Sequence, residues 1–162
     1  MRSYWSALAL LIALAGCAQP AAPQLAMEQT AAVESAVRAQ TEAIARDLAD
    51  DGPNGWLRHF VDDGTFFMAS DGKLQFSDFA TATDFVHTLD ERIASMRIEW
   101  RDLRVDVLSS TMAVWAAGYD ESLTETSGAE FHYAGYVTAL AVETPSGWKI
   151  RHLHWSSPAA QR

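Results

Sequence analysis

The sequence predicts an α+β domain, with helices first and a strongly curved antiparallel sheet after them. Three observations carry this. Apolar residues recur at helical spacing between Met27 and Ala49. After Met96, four long segments are dominated by Val, Trp, Tyr, Ile and Thr, residues that suit a pleated, half-buried surface. Those segments are joined by short breaks at Ser109-Ser110, Thr126-Ser127-Gly128 and Pro145-Ser146-Gly147, and short connections make consecutive strands antiparallel neighbours.

The chain begins MRSYWSALALLIALAGC, with Arg2 ahead of an apolar run from Ala7 to Ala15 and a small residue before Cys17. This is the layout of a secretory signal peptide over residues 1–16, too short to be a flanked membrane span. Leu14-Ala15-Gly16-Cys17 resembles a bacterial lipobox, and Cys17 is the sole cysteine of the 162 residues. The resemblance implies cleavage before Cys17, a diacylglycerol thioether on its sulfur and further acyl chains such as palmitate. Each buried methylene contributes about 0.8 kcal/mol, so several chains hold firmly where one does not. Residues 17–26 are then the lipidated cysteine and a small, Pro-bearing tether. The implied location is the periplasmic side of a bacterial envelope, and Ala18 after the cysteine points to the outer membrane.

Within residues 27–158, Val33, Val37, Ile44 and Leu48 share one face of the first helix, which Asp50-Asp51-Gly52-Pro53-Asn54-Gly55 stops. A short amphipathic piece, Trp56 to Val61, follows. Next come a strand over Thr65–Ala69, a turn at Asp71-Gly72 and a brief strand near Leu74. Ser77 is the expected N-cap of a further helix reaching about Met96, with Phe79, Ala82, Val86, Leu89 and Ile93 on its buried face. The four long strands are expected at 98–108, 111–124, 129–143 and 147–156, with residues 159–162 as a tail.

This order, with FVDDGTFFMASDG before the last helix and GWKIRHLHWSSP closing the chain, resembles the nuclear transport factor 2-like superfamily and its SnoaL-like and ketosteroid-isomerase-like branch. The resemblance implies a conical barrel, the sheet curling around the helices to leave a pocket for a small, largely apolar molecule. It also implies a homodimer and no cofactor. It implies no single reaction, because fold leaves function open. The isomerases of the branch carry an aspartate base a few residues after an acidic turn. Aligning Asp62-Asp63-Gly64-Thr65 with that turn places Met68 there, and a thioether takes no proton, which argues against isomerase chemistry. Asp71 is nearby but sits in a turn, where aspartate is common for turn reasons alone.

His152 and His154 alternate with Arg151 and Leu153 on the last strand. Period-two alternation, with Lys149 and Arg151 seeking water, predicts Trp148, Ile150, His152 and His154 on the inner face. Three readings of the pair stay open. As a metal pair it needs a third ligand, for which His132 or Glu130 is the obvious supply, and the expectation is no metal. As an acid–base group, a histidine titrates near neutral pH and an adjacent carboxylate such as Asp120 or Glu121 would tune it. As rim residues, the two simply bond to neighbouring strands. The catalytic candidates are therefore His152, His154 and Asp120. The expected pocket wall comprises Trp56, Phe60, Phe66, Trp115, His132, Tyr136, His152 and His154.

The formal charge of −9 disfavours nucleic acid and anionic lipid surfaces, which require basic clusters. A lone cysteine leaves no intrachain disulfide, and neither a Gly-rich phosphate loop nor a nucleophile elbow occurs. Two functional classes follow: a lipid-anchored pocket for a small apolar ligand, with isomerase-, cyclase- or lyase-like acid–base activity left open, or a non-catalytic dimerising interaction module of the envelope.

Overall fold

A computed structural model describes residues 25–158. The expected leader, Cys17, nearly all of the expected tether and residues 159–162 lie outside the described residues. No helix among those described is long and apolar enough to cross a membrane.

Helix α1, Met27–Asp51, buries Val33, Val37, Ile44 and Leu48 as its periodicity predicts. Gln40 and Thr41 are buried on the same face, the Thr41 hydroxyl donating to the Arg38 carbonyl one turn back at 2.8 Å. The Gln40 carboxamide donates to the Trp148 carbonyl at 3.1 Å, and the Trp100 indole donates to the Thr41 carbonyl at 2.8 Å. A 3-10 helix, Gly52–His59, folds back under α1. Gly55 permits that return, since a Cβ there would lie 2.5 Å from the Asp47 carbonyl oxygen.

The hairpin β1, Phe67–Ser70, and β2, Lys73–Phe76, turns at Asp71 and Gly72, both in the left-handed region with φ of 46° and 81°. Helix α2 spans Phe79–Asp90 and is shorter than expected at both ends. Asp78 rather than Ser77 caps it, its Oδ1 accepting the Thr81 amide at 2.8 Å. Its far end stops at Asp90 because Ile93–Met96 pair with Leu123–Glu125, which gives their backbone groups sheet partners. Ile93 thus belongs to a strand, while Ala82 and Val86 are the buried positions of α2.

Strands β3, Ile93–Ser109, β4, Met112–Glu125, β5, Glu130–Thr144, and β6, Gly147–Ser156, complete a six-stranded sheet in the order β2-β1-β6-β5-β4-β3. The sheet is mixed rather than wholly antiparallel, because β6 lies parallel to β1. It is curved and open, with β2 and β3 as its edges. Two irregularities bend it. In β3 an extra residue falls between Arg101 and Arg104, where Asp102 has φ of 50°. In β6 Ala141 faces Ile150 while Leu140 faces His152, so Arg151 is an extra residue. Each such bulge reverses which alternate residues point inward. In β3 the core-facing set passes from Met96, Ile98 and Trp100 to Leu103, Val105 and Val107.

The core lies between α1, the 3-10 helix and the concave sheet face. Trp115, Tyr119, Ile44, Leu48, Ile150 and Phe66 are its largest fully buried side chains. Each apolar side chain of this size contributes about 1.5–3 kcal/mol by leaving water.

Candidate functional site

The concave face is filled at one end and hollow at the other. At the filled end, Trp100 meets Trp115 edge-on at 5.6 Å under α1. At the hollow end a cavity of about 220 Å³ opens between the sheet and α2. Its walls are Trp56 and Phe60 from the 3-10 helix and the residue after it, Met68 and Ser70 from β1, and Gln75 and Phe76 from β2. Phe85, Val86 and Leu89 of α2, Met96 of β3, Glu121 of β4, and Leu153 and Trp155 of β6 close it. Apolar groups predominate.

Glu121 reaches this cavity by strand alternation. Ala113, Trp115, Ala117 and Tyr119 of β4 are fully buried, and 121 continues their set. Its lateral neighbours are Ile98 and Tyr133. Among the described residues no donor or cation pairs with its carboxylate, and burial alone raises its pKa from 4.5 to about 7. The adjacent Asp120 points the other way, onto the outer face, where Arg101 holds it at 2.7 Å.

Tyr119, fully buried, packs behind Trp155 of the cavity wall. Its ring lies 4.2 Å from that of Trp155, and its hydroxyl is 3.1 Å from the Ser157 hydroxyl. Gly135, directly across from Tyr119, makes this approach available: a Cβ there would sit 2.0 Å from the Ser156 carbonyl oxygen and 2.7 Å from the Tyr119 hydroxyl. Asp71 fixes the same corner. Its amide donates to the Trp155 carbonyl at 3.2 Å, and its carboxylate accepts the Ser157 amide at 2.8 Å.

The structure brings few of the predicted residues together. Trp56 and Phe60 line the cavity, stacked on each other at 5.7 Å. Phe66 packs behind Phe60 at 4.4 Å in the core, and Trp115 lies in the filled end. The expected inward orientation of the histidines is overturned. Trp148 and Ile150 do pack toward the core, but the bulge at Arg151 then hands that face to Leu153 and Trp155. His152 stacks outside on the half-exposed ring of Phe67 at 4.1 Å, and burial with the nearby Arg151 charge lowers its pKa. His154 is exposed beside it. His132, also exposed, bonds through Nδ1 to the Ser122 hydroxyl at 3.1 Å, and Tyr136 is 45 % exposed. None of these four lines the cavity, and Asp120 stands outside as well. Met68, the position aligned with the isomerase base, does face the cavity.

Sequence reasoning missed Glu121 as the pocket carboxylate, along with Phe76, Phe85, Leu89, Leu153 and Trp155. A usable signal existed for Glu121. Once Trp115 is taken as buried, unbroken alternation carries 117, 119 and 121 inward and 120 outward.

The comparisons agree with this architecture. The SnoaL-like domain profile matches residues 33–160. No curated protein sequence matches the chain significantly. Among solved structures, a nuclear transport factor 2-like superfamily protein from Salmonella enterica serovar Typhimurium superposes with a TM-score of 0.68 at 16 % identity, covering 82 % of this chain and 96 % of the other. A conserved protein from Planctomyces limnophilus gives 0.63 at 16 %, covering 79 % and 98 %. The hexachlorocyclohexane dehydrochlorinase LinA-type3 from Novosphingobium barchaimii gives 0.62 at 13 %, covering 80 % and 88 %. At such identities the superpositions speak for the fold, a nuclear transport factor 2-like cone. With the profile spanning nearly all of the folded domain, the chain belongs to the SnoaL-like family.

Proposed function

We propose that this protein binds a small, largely apolar molecule in the cavity under α2 and moves a proton to or from it with Glu121. One observation carries the reading: among the described residues an apolar cavity holds a single carboxyl group with no partner, its pKa raised to about 7 by burial. A group titrating near the working pH populates both forms, so Glu121 serves as base when ionised and as acid when protonated. Ser70 and Gln75 are the other polar side chains of the wall, and their hydroxyl and carboxamide are donors for negative charge developing on the ligand. Loss of a proton with a leaving group, the reaction class named for the dehydrochlorinase above, is one outcome such a site supports.

The proposed setting is the periplasmic side of a bacterial envelope, with Cys17 lipidated and the tether reaching at most about 30 Å when extended. The lipobox-like Leu14-Ala15-Gly16-Cys17 supports this. Cys17→Ala should remove the protein from the membrane fraction; a variant still processed and membrane-bound like wild type defeats the anchor.

Carbon-13 NMR of the Glu121 carboxyl tests the site, together with deuterium exchange into a panel of small cyclic ketones in D2O. The expected results are a titration midpoint near 7 and exchange that falls about 10²–10⁴-fold in Glu121→Gln. An ordinary carboxylate midpoint with exchange unchanged in the variant refutes the reading. A second reading, a module pairing through its outer face, is favoured by Val114, Ala116 and Leu140 beside exposed Tyr136. Sedimentation of wild type against Tyr136→Lys tests it. A dimer lost in the variant supports this reading, and a monomer in both removes it.

A further inference from the structure

We infer that the ligand of the Glu121 cavity carries a positive charge: it is a small aromatic or alicyclic amine, bound as its ammonium form. The inference rests on Glu121 being the pocket's working carboxyl but not on any proton transfer by it. It concerns which ligands enter, and it involves no covalent step.

The composition of the wall is the first argument. Five aromatic rings, those of Trp56, Phe60, Phe76, Phe85 and Trp155, surround one carboxylate, and among the described residues the wall contains no Lys, Arg or His. The rings also present both faces and edges. Trp56 stands at 82° to Trp155 with centroids 5.8 Å apart, and Phe76 is tilted at 51° to Phe85 at 5.2 Å. Ring faces attract cations and repel anions through their quadrupoles.

The second argument is the unmet demand of Glu121. A neutral apolar ligand would strip the remaining water from this carboxylate and offer nothing in return, so binding would force the group to protonate. A carboxylate or phosphate ligand would add repulsion. An ammonium N–H supplies both the missing donor and the missing charge, in a charge-assisted hydrogen bond that is stronger where water is excluded. The overall charge of −9 adds a long-range attraction of the same sign. Size narrows the class further. About 220 Å³ corresponds to roughly seven waters at about 30 Å³ each, room for one ring and a short side chain.

Isothermal titration at pH 8 with three probes of one shape, phenethylamine, 2-phenylethanol and phenylacetate, tests the inference. The expected order is phenethylamine at least about tenfold tighter than 2-phenylethanol, with phenylacetate weakest, a factor worth about 1.4 kcal/mol. In Glu121→Gln the amine preference should vanish while 2-phenylethanol binds at least as well. Glu121→Asp, which keeps the charge, should retain part of the preference. Saturating amine should also lower the carboxyl titration midpoint of wild type. Three results overturn the inference: 2-phenylethanol binding as tightly as the amine, an amine preference unchanged in Glu121→Gln, or no amine binding in the millimolar range. Ketone exchange is independent of these outcomes, so loss of that activity with amine preference intact would refute proton transfer alone.

Discussion

Two regions of this molecule hold titratable side chains against the interior, and they treat them oppositely. Where α1 meets the 3-10 helix, His59 is buried with its Nε2 2.8 Å from Asp47 Oδ2, and Arg58 reaches both Asp47 at 3.1 Å and Asp51 at 2.5 Å. The Lys149 ammonium closes the cluster by donating to the Arg58 carbonyl. Both carboxylates there, Asp47 and Asp51, have Arg58 as a partner, and His59 shares Asp47. In the cavity under α2, Glu121 has no such neighbour among the described residues. The first arrangement ties two helices together; the second leaves a carboxyl group without a protein partner among the described residues. A paired network around one buried histidine serves stability, whereas an unpaired group beside a cavity is where the proposed function is placed.

The largest expected effect breaks the cavity end alone. Gly135→Ala places a methyl against the Ser156 carbonyl and the Tyr119 hydroxyl. It should cost about 3 kcal/mol or more, as overpacking against backbone does. Thermal unfolding measures the loss. Proton–nitrogen spectra should show shifts around Tyr119, Glu121 and Trp155, with His59 unchanged. A melting temperature within a degree of wild type would show that the corner yields without strain.

Acid distinguishes the two regions by sign. The folded pKa of Glu121, about 7, lies above its ordinary 4.5. Between those values the folded state binds more protons than the unfolded chain. Its contribution is therefore full below about pH 4.5 and lost as pH rises through 7. Allowing for solvent at the cavity mouth, the loss should be about 1–3 kcal/mol. Asp47 is held below its usual range chiefly by the Arg58 hydrogen bond, and burial lowers His59 against the pull of Asp47. Both contributions run the other way: that of His59 fades as pH falls below its ordinary 6.5, and that of Asp47 as pH falls below 3.8. Denaturant unfolding across pH should show Glu121→Gln gaining stability above pH 7 relative to wild type, with the acid limb intact. An unchanged alkaline limb would mean that Glu121 ionises freely.

A smaller effect is expected from Asp47→Ala, which removes the acceptor of His59 and one partner of Arg58. It should cost about 1–2 kcal/mol and raise the fraction of His59 free to exchange its ring proton, as histidine NMR would detect. No loss would mean that solvent replaces the carboxylate at both donors. Smallest of all, Asp120→Ala on the outer face should change stability by no more than about 0.5 kcal/mol. Its bond to Arg101 is half exposed, with side chains 46 % and 54 % accessible. A loss comparable to that of Asp47→Ala would show that outer-face pairs hold the curvature.

Much of this was legible beforehand. The Val33/Val37/Ile44/Leu48 stripe, the Asp71-Gly72 turn and the four long strands all appear close to where local pattern places them. Local pattern failed where a residue's partner was remote. Ile93–Met96 read as the end of a helix because their apolar spacing fits one, yet Leu123–Glu125 claim them for the sheet. The histidines failed for a sharper reason. Lys149 and Arg151 alternate so cleanly that the strand reads as unbroken, and nothing in the local sequence announces that Arg151 is an extra residue opposite Leu140 and Ala141.

Composition and periodicity were enough to determine the class of the fold, the order of its elements and the acidic balance, because these depend on residues close in the chain. Tertiary structure alone decided the parallel seating of β6 against β1 and the reversal of faces at Arg151. It also decided that, of the neighbouring carboxylates 120 and 121, Glu121 faces the cavity. The physical reason is parity. A strand has two faces and a period of two, so one bulge far from a residue reverses its exposure, and only the pairing of distant strands settles where bulges fall.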